Sequence, residues 1–125
     1  MERRGRFRRV LPALVWSALM IAASSIPGMP RRAQPLLHYD KILHAVEYGV
    51  FAWLWWGVLR GSARPFLREK AWVWVLTVGL AWGVVDEVYQ GTVGRSRDPK
   101  DFLADGAGIV AALWIRERRS SRKGD

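Results

Sequence analysis

Asp86, Glu87 and Gln90 close an apolar run that extends without a break from Ala71 to Val85. Arg95 follows in a short loop, and Asp101 and Asp105 then open another apolar run. A third group, Asp40, Lys41, His44, Glu47 and Tyr48, stands at the head of an earlier one. These residue types support three kinds of chemistry. Carboxylates beside an imidazole act as general acid and base or hold a divalent metal. Lys41 and Arg95 offer cationic donors to a phosphate or carboxylate. Asp86 with Lys41, or Asp101 with Arg95, would equally serve as ion pairs that fix helix register and bind nothing. Charges bordering membrane-like segments are costly to bury, which makes a working role the first hypothesis. With no Cys in the chain and no second His beside it, His44 fits a hydrogen-bonding partner better than a metal ligand. The sequence therefore assigns no cofactor.

These residues need elements to hold them. A chain of 125 residues has room for one core. Its apolar fraction, 50%, is ordinary for a soluble protein, but the distribution is not. Apolar residues gather into four blocks, and most Lys and Arg lie between and beyond them. The pattern predicts an all-α fold: a polytopic four-helix transmembrane bundle with short loops. The expected parts are a basic tail over 1–9, a membrane domain over 10–115 and a basic, frayed tail over 116–125. Spans are placed at about 10–26, 41–59, 71–90 and 101–115.

The first span also reads as a cleavable signal peptide, with small residues around Ala23–Ser25; its length favours retention. Asp40 is the expected N-cap of the second. Gly79 and Gly83 form a Gly-x-x-x-Gly pair that permits close helix contact. Eight Trp suit a lipid interface.

The net charge of +9 does not imply nucleic acid, because the basic residues are divided among termini and loops rather than gathered on one face. Fourteen Lys and Arg fall in the N-terminal tail, the 60–70 connection and the C-terminal tail; six fall in the other two loops. With four spans these sets lie on opposite sides of the cell membrane, and the richer set belongs in the cytoplasm, with both termini. Asp40–Tyr48, Asp86–Gln90 and Asp101–Asp105 then meet at one outer depth. Asp40, His44 and Glu47 share a helical stripe, and so do Gly79, Gly83 and Gln90.

The combination Asp40-Lys41-x-x-His44-x-x-x-Tyr48, Asp86-Glu87-x-x-Gln90, Arg95, and Asp101-x-x-x-Asp105-x-x-Gly108 resembles the VanZ-like family over residues 40–112. Asp105 stands where that family often has Asn. The resemblance implies an integral membrane protein of the cell envelope, linked through the founding member to low-level teicoplanin resistance. It transfers no reaction. The expected role is envelope-associated binding or protection, with membrane lipids and a lipid-linked or anionic envelope ligand as partners. A metal-dependent or acid–base enzyme acting on a lipid-linked substrate is the alternative. A purely structural charge cluster is the second. A proton-relay or transport role would require a homo-oligomer, since four short spans are few for a monomeric transporter.

Overall fold

A computed structural model describes residues 2–26, 37–95 and 98–123. Five helices occur among them: α1 (Glu2–Ser24), α2 (Leu37–Arg60), α3 (Pro65–Glu69), α4 (Ala71–Thr92) and α5 (Pro99–Ser121). No strand is present among the described residues. Local chemistry fixes several ends. Asp98, in extended conformation, accepts a hydrogen bond from the Lys100 amide, and Pro99 takes the first helical position of α5. Pro65 does the same for α3. Gly94, at φ +79, lies in the left-handed region and lets the chain turn after α4.

The central pair is α2 and α5, and they run in the same direction. Lys41 pairs with Asp101, His44 with Asp105, and Trp56 with Glu117, so contacts advance together along both helices. Such an arrangement requires very close backbones. Gly108 lies against the backbone of Ala45, and a Cβ there would overlap the Ala45 carbonyl oxygen. Helix α4 runs antiparallel to both: Gly79 packs on Ile109 and Phe51, and Gly83 on Asp105 and Phe102. The expected small-residue contact is thus made, against α5 above all. Helix α1 packs on α2, with the Trp16 indole donating to the Glu47 carbonyl at 3.0 Å.

Apolar side chains line both the inside and the outside of this bundle. Tyr48, Phe51, Ala52, Val75 and Ile109 are buried, yet Ile42, Val85, Leu103 and Leu19 are more than half exposed. Exposed apolar faces on this scale suit a lipid environment. Helices α1, α2 and α4 hold stretches long and apolar enough to cross a membrane: Gly5–Ser24, Tyr39–Arg60 and Ala71–Thr92. Three of the four expected spans therefore meet that measure. Helix α5 has 23 residues but carries Asp101, Asp105 and a basic last turn, so it does not.

Four expectations about boundaries change. The basic N-terminal residues continue into α1. Helix α2 starts at Leu37, so Asp40 lies in its first turn and is not its cap. The 60–70 connection contains α3. Residues 116–121 are helical rather than frayed, because their side chains are anchored. The Arg116 guanidinium lies 4.2 Å from the Trp53 ring centre and 4.9 Å from that of Trp56, and donates to the Trp53 carbonyl at 3.1 Å. Trp56 donates to Glu117 at 2.6 Å. Arg116→Ala is expected to cost about 1–2 kcal/mol, measured as reversible unfolding in mixed micelles, with Arg116→Lys losing less.

Candidate functional site

Two ends of the bundle differ in character. One carries Arg9, Arg60 and Arg116. The other gathers the last turn of α1, the first turns of α2 and α5, and the last turn of α4. Helix alternation explains this. A chain that runs up, down, up and down returns these four segments to one end, where Ser25, just past α1, meets the Tyr89 hydroxyl of α4 at 2.8 Å.

The Lys41 ammonium sits between two carboxylates of the α5 N-terminus, donating to Asp98 at 2.7 Å and to Asp101 at 2.5 Å. Lys41 and the Lys100 amide, both donating to Asp98, hold its carboxyl below the usual carboxylate range. One turn deeper, His44 is 5% exposed and Asp105 2%. The His44 Nδ1 lies 2.8 Å from Asp105 Oδ1. Because an ionised carboxylate only accepts, this contact places a proton on Nδ1 and directs Nε2 the other way. There Nε2 faces Asp40 Oδ1 at 4.0 Å and Asp101 Oδ2 at 3.9 Å.

A second layer lies between α2 and α4. Gln90, buried, donates its amide to Asp86 at 2.9 Å, and the Tyr48 hydroxyl approaches the same oxygen at 3.5 Å. Glu87 faces the same cluster from α4, with His44, Asp101 and Asp105 among its electrostatic neighbours. Its Oε1 atom is buried and has no hydrogen-bond partner among the described residues. Glu47 contributes its backbone carbonyl to Trp16, and its partly buried carboxylate borders the same cluster.

The structure thus brings together Asp40, Lys41, His44, Glu47, Tyr48, Asp86, Glu87, Gln90, Asp101 and Asp105. Arg95 stands at the edge. Its guanidinium reaches the Ala23 carbonyl at 3.5 Å and makes no ion pair among the described residues. The two ion pairs expected from sequence are not the ones formed: Asp101 pairs with Lys41 rather than Arg95, and Asp86 bonds Gln90 and Tyr48 rather than Lys41. Asp98 belongs to the cluster and was not singled out by sequence. The signal was Asp immediately before Pro, a helix-start pattern that also brings the carboxylate to the α5 terminus. His38 lies where only the backbone is described.

A family model described as VanZ/LLP1 matches residues 5–117. No curated protein and no solved structure matches the chain.

Proposed function

The chain belongs to the VanZ/LLP1 family of membrane proteins, and on that premise we propose an envelope-protective binding role for it. In this reading four helices cross the cell membrane, both termini are cytoplasmic, and the polar end opens outward. There it binds the anionic or lipid-linked headgroup of an envelope component and shields it from teicoplanin-type glycopeptides. The observation that carries the reading is the meeting of Lys41, His44, Asp101 and Asp105 at the end opposite the basic termini.

Three further features support it. The acids that lower the apolarity of α5 face protein, while its outward surface presents Leu103, Val110 and Trp114 to the surroundings. A fourth span is therefore physically reasonable for α5. The poorer of the two Lys/Arg sets lies at the polar end, as the positive-inside rule asks. A cleft of about 390 Å³ between α1, α2 and α4, lined by Leu14, Phe51, Trp55 and Val78 among others, has room for part of an acyl or prenyl chain. Arg95 supplies the headgroup contact, since a guanidinium that makes no ion pair among the described residues matches phosphate or carboxylate oxygens. Lys41, held between its two acids, orients the site.

Two experiments test this. The chain has no Cys, so Thr92→Cys and Ala63→Cys each introduce one thiol. Impermeant maleimide applied to intact cells is expected to label Thr92→Cys alone; the reverse pattern would invert the topology. Cells carrying wild type should tolerate more teicoplanin than cells lacking the protein, and Arg95→Ala should fall to the level of the latter. Equal susceptibility of wild-type and null cells would remove the protective role.

A further inference from the structure

We infer that Asp40, His44 and Asp101 form a binding site for a first-row divalent cation, with Asp105 as the residue that orients His44. The three potential ligand atoms, one from each residue, all lie within 4.8 Å of one another. They come from two helices held in fixed register, so the convergence does not depend on a flexible loop.

The arrangement of donors and acceptors is the argument. Asp105 accepts a hydrogen bond from His44 Nδ1–H, so in the neutral ring Nε2 carries the lone pair, on a side chain that is 5% exposed. That lone pair points at two carboxylate oxygens, which are also acceptors. At 3.9 and 4.0 Å neither distance is a hydrogen bond. A proton on Nε2 would draw one carboxylate in to the distance Asp105 shows. Three acceptors facing one gap are instead satisfied together by a cation at its centre.

A tetrahedral ion bonded at about 2.1 Å sets its ligand atoms roughly 3.4 Å apart, so closure requires movements of about half an ångström along each His44–carboxylate gap and up to about 1.4 Å between the two carboxylates. Asp40, partly exposed and in the first turn of α2, has freedom to make them. Lys41 occupies Asp101 Oδ1 and leaves Oδ2 to the cation. A carboxylate on the non-ligating nitrogen of a metal-bound His is the usual orienting partner. One imidazole with two carboxylates suits Zn²⁺ or Mn²⁺ better than thiolate-seeking ions.

Three protein ligands leave a position open for an oxyanion. That last use rests on the binding role proposed above, whereas the site itself rests only on its geometry. If the purified chain holds zinc but cells gain no teicoplanin tolerance, the site stands and the protective role falls. Tolerance without zinc binding removes the site alone.

The test uses the full-length protein in detergent, purified without a histidine tag, stripped with chelator and titrated with Zn²⁺. A single zinc ion per chain is expected to survive gel filtration. Asp40→Asn and Asp101→Asn should each weaken binding at least about tenfold, and Asp105→Asn, which keeps an oxygen acceptor for Nδ1–H but loses its charge, by roughly tenfold. His44→Ala should abolish it and remove the visible absorption of a Co²⁺-loaded sample. His38→Ala, at the chain's other histidine, should change nothing. Asp40→Asn removes no hydrogen bond among the described residues, and tryptophan fluorescence confirms its fold, so a loss there is a loss of ligand. No zinc retained by wild type, or equal affinity in wild type, Asp40→Asn and Asp101→Asn, would overturn the assignment.

Discussion

Gly108→Ala is expected to destabilise the protein by about 3 kcal/mol, although it adds one methyl group. The new Cβ would overlap the carbonyl oxygen of Ala45, and the next nearest atoms are also backbone. A side chain can rotate away from such a contact. A helix backbone cannot, so α2 and α5 must move apart along their whole shared length. The shift would also pull His44 from Asp105. Gly106→Ala is the matched control: its Cβ would meet only Leu80 Cδ2, at an ordinary 3.6 Å. There the better helix propensity of Ala leaves stability unchanged or raised by up to about 1 kcal/mol. Unfolding of both variants in mixed micelles gives opposite signs if the close α2–α5 contact is real. Equal effects would show that the helices do not meet there.

Asp105→Leu carries the second large effect, about 3 kcal/mol of destabilisation in chelator-treated samples. Removing this carboxylate leaves the His44 Nδ1 buried with no acceptor in reach, and a stranded polar group costs more than an absent one. The double variant His44→Leu/Asp105→Leu removes both groups and should recover most of the loss. The coupling between the two sites is therefore large and of opposite sign to the single losses. Simple additivity would mean that His44 and Asp105 do not touch.

Much of this site was legible in the sequence because helical spacing is geometric. Asp40, His44 and Glu47 at i, i+4 and i+7 share a stripe whatever they pack against, and hydropathy placed the first three spans. Pairing was less legible. Which acid meets Lys41 depends on α2 and α5 lying parallel with a fixed offset, and that offset is set by Gly108 seating on Ala45. Nothing along one helix encodes it. Hence neither Asp86–Lys41 nor Asp101–Arg95 forms, and Asp98, outside the sequence motif, closes the Lys41 contact. The low average apolarity of α5 has a physical source. An average over its length counts Asp101 and Asp105 as if they faced the surroundings, although both are buried against other helices. The C-terminal basic residues read as a solvated tail because cation–π contacts such as Arg116 on Trp53 require knowing which helices are neighbours.

Everything proposed here depends on α2 and α5 running in the same direction with their polar first turns side by side. Spin-label distances test that directly, since the chain has no Cys and Tyr39, Leu103 and Trp114 are all exposed. Leu103 and Trp114 are separated by about 16 Å along the helix axis. The pair Tyr39→Cys/Leu103→Cys should therefore give a distance about 10 Å shorter than Tyr39→Cys/Trp114→Cys. Equal distances, or a shorter one to Trp114, would contradict the parallel pairing and with it the shared polar site.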